Sequence, residues 1–308
     1  MSGALAQRAG PGANPRGKTR FLASVVQRKQ RGSCLRLLCL LLLKFMAFVQ
    51  MRSFLSELNQ SSLWRRKVRL WDSVYTAPTL DRLISLHAHR FGWMGYAEKR
   101  FLRSVVRDDS IVADVGANQG LYTLWLARVA TGGTVYAFEP DPDLFQCLEN
   151  NVRTNHLQNV STIQAAASNR SGTLAFTTNR LNRGDNRVTR SPGSAAEQVN
   201  AVTIDETIPD SCLDLLKVDV QGFEIEVLLG AQETLGDNQD LIVLFEFWPY
   251  GLRQTGHRPI ELLDLLREAG FSISTLGQGG RPVLMPQEVL HWDRETQYCN
   301  LIARKAQG

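Results

Sequence analysis

Residues 110 to 123 read Ser-Ile-Val-Ala-Asp-Val-Gly-Ala-Asn-Gln-Gly-Leu-Tyr-Thr, an apolar run that carries one acid and then turns through two glycines into a helical pattern. Ile111, Val112 and Val115 suit a buried parallel strand, and Leu121, Leu124, Trp125 and Ala127 begin a helix with one apolar face. Gly116 permits a conformation or an approach that a Cβ would block, and the first amides of the helix face a bound cofactor. A second strand, Thr134 to Phe138, ends on Glu139, nineteen residues past Gly120. A carboxylate at that distance accepts hydrogen bonds from the two hydroxyls of a ribose. The two features together confine the chain to an open α/β sheet that binds a nucleotide-like ligand at its strand ends.

The spacing alone does not choose the ligand. A dinucleotide site needs glycines at G-x-G-x-x-G, because its pyrophosphate lies on the backbone at the helix start. Here Ala117-Asn118 stands where the middle glycine belongs, and the pattern is D-x-G-x-x-x-G. That turn suits S-adenosylmethionine, which has no phosphate but has an amino-acid end able to reach Asp114 and nearby amides. The plain alternative is an ordinary strand-to-helix turn.

The alternation continues. Pro140 and Asp141 open a helix with Leu144, Cys147, Leu148 and Val152 at helical spacing, and a third strand follows near 160–165. Ala166-Ala167 is small enough to let an adenine ring pass, although small residues at a packed turn read equally well. Asn169 to Gly172 turn the chain into a hairpin strand, 173–177. A fourth core strand, 213–218, ends in Asp219-Val-Gln-Gly-Phe-Glu224 and leads into a helix. Residues 241–247 form a nearly continuous apolar run, as in a strand covered on both faces. A helix over 259–268 and strands over 271–275 and 298–303 complete a doubly wound, Rossmann-like α/β sheet with helices on both faces.

Charge divides the chain. Residues 1–52 hold ten Lys or Arg and no acid, so the net +5 of the 308 residues becomes −5 for the remainder. The basic excess sits in a tail and not on one face of the body, which argues against nucleic acid as a partner. The expected organisation is a basic, partly apolar tail over 1–60, a helical cover over 61–108 and the α/β domain over 109–308. Leu37 to Val49 is apolar apart from Lys44, short of the roughly 20 residues that cross a bilayer. It reads as a helix on a membrane surface through residues 35–58, a helix packed on the domain, or a targeting segment. The protein is expected to be cytoplasmic, peripheral to a membrane if the first of these holds.

Five cysteines, Cys34, Cys39, Cys147, Cys212 and Cys299, are scattered without a C-x-x-C pair, so neither a zinc site nor a disulfide framework is expected. His87 and His89 lie in a helical stretch, where a spacing of two does not share one face, and they read as surface or packing residues. No metal is expected. Residues 178–198 are a long polar insertion with Arg180, Arg183, Arg187 and Arg190, either a solvated loop or a grip for an acceptor.

Taken together, Asp114-Val-Gly-Ala-Asn-Gln-Gly-Leu-Tyr-Thr123, Glu139-Pro140, Lys217-Val-Asp-Val-Gln-Gly-Phe-Glu224, Gly230-Ala231 and Glu246-Phe-Trp-Pro249 resemble the FkbM family of S-adenosylmethionine-dependent methyltransferases. The resemblance spans about residues 105 to 275. It implies a seven-stranded, mostly parallel class I methyltransferase sheet with the last strand antiparallel, and methylation of a hydroxyl on a sugar, glycolipid or secondary metabolite. On this reading Asp114, Gly116, Ala117, Asn118 and Gly120 seat the methionine end of the donor. Glu139 takes the ribose, Ala166 borders the adenine, and Tyr122 or Thr123 meets the remaining polar atoms. Asp219 leads as the residue that orients or deprotonates the acceptor, with Glu224, Glu246 and His257 behind it. Each acid also has a structural reading, as a helix cap or a satisfied strand end. The family pattern after the fourth strand is D-x-E-G-x-E, and this chain departs from it with Gln221. The alternatives are a cofactor-binding module with little catalysis and a nicotinamide-dependent oxidoreductase.

Overall fold

The computed structural model describes residues 68–70, 73–75, 96–178, 187–188, 197–209, 212–277, 282–283 and 287–305. The basic tail, the apolar run at 37–49, His87, His89 and most of the 178–198 insertion lie outside them.

The first elements are β1 (Val68–Leu70), β2 (Ser73–Tyr75), α1 (Tyr96–Val105), β3 (Ile111–Val115), α2 (Leu121–Val129), β4 (Thr134–Phe138), α3 (Pro142–Thr154) and β5 (Val160–Ile163). There follow β6 (Ala166–Ala167), β7 (Gly172–Thr177), β8 (Arg187–Val188), β9 (Glu197–Val202), α4 (Ile204–Thr207), β10 (Leu215–Val218), α5 (Glu224–Leu229) and α6 (Gln232–Asp237). The last are β11 (Ile242–Phe247), α7 (Pro249–Gln254), α8 (Pro259–Glu268), β12 (Phe271–Leu276), β13 (Pro282–Val283) and β14 (Cys299–Lys305), with a 3₁₀ turn at Gln287–His291.

The main sheet has the order β13-β12-β14-β11-β10-β3-β4-β5. From β5 to β11 neighbouring strands are parallel, and β14 runs antiparallel to both β11 and β12. These are the seven strands that the sequence leads one to expect, with the last one reversed. The two-residue β13 lengthens the edge beyond them.

Alternation along the strands builds a core on each face. Val112, Val135, Leu215, Leu244 and Ile302 pack with Phe101 and Leu102 of α1 and Leu126 and Ala127 of α2. Val115, Leu216, Val243 and Phe245 pack on the other side with Val227 and Leu228 of α5 and Leu262, Leu263 and Leu266 of α8. Leu215 and Leu216 are therefore adjacent in sequence and buried in different cores, as a doubly covered strand requires. Each such side chain contributes about 1.5–3 kcal/mol on burial.

A second sheet, β6-β9-β7-β8, stands beside the first and carries Phe176 and Val188 in a small core with Phe223. Among the described residues of 61–108, the expected helical cover contains one helix, α1, and an antiparallel hairpin, β1 with β2. The hairpin is fastened by Asn155, whose side chain accepts from the Val74 amide and donates to the Val74 carbonyl. Among the described residues no helix is long and apolar enough to cross a membrane.

Candidate active site

The parallel strands β3, β4 and β10 end side by side, and the loops that leave them form the site. Gly116, directly after β3, has φ +80°, and a Cβ there would stand 2.0 Å from the carbonyl oxygen of Asp219. Only glycine lets the donor turn lie against the loop after β10. The turn is tied by its own amides: Gly116 and Ala117 donate to the Phe138 carbonyl, Asn118 to Glu139, Gln119 to the Asn118 side chain and Gly120 to the Ala117 carbonyl. These bonds fasten the turn to the ends of β3 and β4.

Glu139 is buried at the end of β4, and its two oxygens accept from the amides of Asn118 and Asp141, both at 2.8 Å. Burial pushes its carboxyl up to about 8, against the pull of those two amides. The Glu139 carboxyl therefore joins the β3 turn to the start of α3.

Around these residues lies a concave cavity, partly open to solvent. Gly116, Asn118, Glu139, Ala166, Asp219 and Gln221 line it. Leu144, Ala165, Ala167, Phe176, Val188 and Phe223 supply apolar walls. A carboxylate for hydroxyls, flat apolar walls beside small alanines, and polar groups from Asn118 and Asp219 fit the ribose, adenine and amino-acid parts of S-adenosylmethionine.

Five other residues expected in the donor site, Asp114, Ala117, Gly120, Tyr122 and Thr123, are not among those that line the cavity. Asp114, fully buried on β3, accepts from Thr123 Oγ1 at 2.7 Å and pairs with Lys217 Nζ at 3.0 Å. The same ammonium lies 4.7 Å from the centre of the Tyr122 ring. Burial lowers the Lys217 pKa, but Asp114, Asp219 and Glu246 outweigh it and leave the group above its ordinary value. Burial also drives the Tyr122 phenol well upward, helped by Glu98, Asp219 and Asp114. Ala117 packs on Ala137 and Leu148, and Gly120 precedes α2 with φ +90°.

Of the four candidates for catalysis, the structure brings Asp219 to the cavity. Its Oδ1 accepts from Gln221 Nε2 at 3.0 Å, and the same nitrogen donates to Glu246 Oε2 at 2.9 Å. Glu224 lies fully buried at the start of α5, where Oε1 accepts from the Gly222 amide and burial raises its carboxyl to about 7. His257 is placed elsewhere, between Glu226 at 2.9 Å and Glu261 at 3.2 Å, outside the residues that line the cavity.

Two site residues escaped the sequence reading. Lys217 sits in a four-residue strand buried throughout, and a lysine there requires a partner, which was the available signal. Asn151 falls at helical spacing from Leu144 and Leu148, and its buried amide donates to the Gln119 carbonyl, clamping the turn from α3.

The model of the FkbM methyltransferase domain matches residues 114–273, half of the chain. The chain belongs to the FkbM methyltransferase family. Its methyl donor is S-adenosylmethionine. It is 30% identical over 199 residues to methyltransferase sdnD of Sordaria araneosa, covering 53% of this chain and 74% of that one. It is 28% identical over 177 residues to the hexuronic acid methyltransferase AglP of Haloferax volcanii, covering 56% and 68%. Among solved structures, an S-adenosylmethionine-dependent O-methyltransferase from Thermotoga maritima superimposes with a TM-score of 0.42 at 16% identity, covering 79% of this chain and 78% of that one.

Proposed function

We propose that this methyltransferase acts on oxygen, alkylating a hydroxyl of a sugar, glycolipid or secondary metabolite. The observation that carries this reading is the position of Asp219, a carboxylate that lines the same cavity as Glu139, the two following β10 and β4 on either side of β3. When bound, S-adenosylmethionine supplies an electrophilic methyl carbon, and the electrons of its carbon–sulfur bond return to sulfur as the acceptor oxygen bonds to that carbon. Glu139 would hold the ribose hydroxyls, Asn118 and the Gly116 turn would border the amino-acid end, and Ala166 would border the base. Asp219 receives the hydroxyl proton as the oxygen becomes an ether, a general-base contribution of about 10²–10⁴ in rate. Glu224 supports the loop after β10 from below, and His257 fastens α5 to the start of α8. A sugar acceptor draws support from the name of the hexuronic acid methyltransferase relative.

The experiment is a transfer assay with isotopically labelled donor against neutral glycosides, glycolipids and small alcohols, run beside direct titration with the donor and with NAD. Donor binding without NAD binding, and labelled ether product that falls at least about 100-fold in Asp219→Asn, is the expected result. Equal turnover in the two proteins removes Asp219 from the chemistry, and binding of NAD alone overturns the reading.

A further inference from the structure

One nitrogen joins Asp219, which lines the cavity, to Glu246. Gln221 Nε2 lies 3.0 Å from Asp219 Oδ1 and 2.9 Å from Glu246 Oε2, so the two hydrogens of one amide serve one carboxyl each. The acids come from different strand ends, Asp219 after β10 and Glu246 near the end of β11, and these strands are neighbours in the sheet. Gln221 reaches both because its backbone is left-handed, at φ +56°, which few residues other than glycine adopt.

The charges around Glu246 leave little else to hold this arrangement. Burial first, and then Asp219 at the β10 end and Glu224 at the start of α5, drive its carboxyl well above the ordinary carboxylate range. Lys217 pulls the other way, but its ammonium is in contact with Asp114 at 3.0 Å. From the β14 side come the Tyr298 phenol and the Cys299 thiol, both raised first by burial and then by Glu246. Glu98 of α1 also acts on Tyr298.

We propose that Gln221 is a positioning residue for methyl transfer: its amide links Asp219 and Glu246 into a single unit and fixes Asp219 at the cavity wall for the acceptor hydroxyl. The inference rests on the reading of Asp219 as the proton acceptor, and it assigns a separate job to the amide. A glutamate of the same size at position 221 would place oxygen where the two N–H groups now stand. Three carboxyls would then meet, and together they would have to carry one proton more than the two acids hold beside the amide. A methionine of similar length would remove the donors and add no charge.

The test is a carbon-13 titration of the side-chain carboxyls in the whole chain, with Asp219→Asn and Glu246→Gln assigning the two signals. Three proteins are compared: the natural chain, Gln221→Met and Gln221→Glu. In Gln221→Met the Glu246 midpoint is expected to rise by about one pH unit, a tenfold tighter proton, because hydrogen bonds to the charged form are lost. In Gln221→Glu the protein is expected to hold one more proton near neutral pH than the natural chain. If that variant folds in mild acid and not at alkaline pH, the added acid has the same need for a proton and the outcome supports the proposal. In the natural background, Asp219→Asn is expected to move the Glu246 midpoint down, since a facing carboxylate is gone. Midpoints unchanged in Gln221→Met, ordinary ionisation of all three acids in Gln221→Glu, or a Glu246 midpoint indifferent to Asp219→Asn would each overturn the link. Donor affinity is measured on the natural chain in parallel. A chain that fails to bind S-adenosylmethionine while its two acids titrate as a linked pair speaks against the proposed function and leaves the role of the amide standing.

Discussion

Lys217 and Asp114 face each other across the parallel pair β10 and β3, in register, with Nζ 3.0 Å from Oδ1. Both are almost completely buried, beneath the loops that form the cavity. Asp114 therefore acts as an internal strut. Lys217 neutralises it, Thr123 holds it to α2, and the turn at Gly116 starts from a fixed point.

Removing one partner leaves the other charge buried and uncompensated. Lys217→Met is expected to cost about 3–5 kcal/mol in urea unfolding, with a smaller loss in the double variant Lys217→Met with Asp114→Val. A double variant as unstable as the sum of the two single ones would show that the pair is not coupled.

Gly116→Ala brings a Cβ to 2.0 Å from the Asp219 carbonyl oxygen at a φ of +80°. The β3 and β10 loops must separate, so both donor binding and melting temperature are expected to fall. Calorimetry with S-adenosylmethionine beside thermal unfolding checks this. Unaltered affinity would mean that the contact between the loops does not shape the donor site.

The sheet was readable because its strands are short apolar runs closed by turn residues, and the elements fell close to where the periodicity placed them. The strand expected at 213–218 begins at Leu215, since Asp214 serves instead as a hydrogen-bond partner for Ile111 and Arg107. The turn after β3 and the place of Glu139 at the end of β4 were legible for a similar reason: a local spacing encodes them. What could not be read is the division of labour among polar residues that meet only through long-range packing. Nothing in the local pattern around Asp114 says that Lys217, 103 residues away, takes its carboxylate. Nor does the spacing of His257 show that Glu226 and Glu261 occupy its ring. The hairpin at 68–75 was missed because three-residue strands carry too few positions to show an alternation.

Glu224 gives the fold a pH dependence whose sign is fixed. Burial raises its carboxyl from 4.5 to about 7, so the folded chain binds a proton that the unfolded chain has released. Its contribution is intact below about pH 4.5 and is lost as pH rises through about 7, a cost of about 3 kcal/mol by pH 8. Glu224→Gln cannot ionise. The difference in melting temperature between mildly acidic and alkaline buffer is expected to shrink in that variant, and an unchanged difference would assign the pH dependence to other groups.

The donor site itself should release a proton when it fills. Burial raises Glu139 to about 8 although two backbone amides favour its charged form, so near neutral pH the carboxyl of the ligand-free protein still holds its proton. Two ribose hydroxyls donating to the carboxylate favour the ionised state further and lower the pKa in the complex. Affinity is then expected to climb with pH, by at most tenfold per unit, until about 8 and to level off above it. Adenosine is the suitable probe, because it presents the ribose and base without an amino or carboxyl group that titrates in this window. Its binding is measured by calorimetry in buffers of different ionisation enthalpy, which count the proton directly. Glu139→Gln is expected to bind more weakly and to release no proton. Proton release that survives in Glu139→Gln, or adenosine binding in the natural chain that is flat across the window, would place the ribose on another residue.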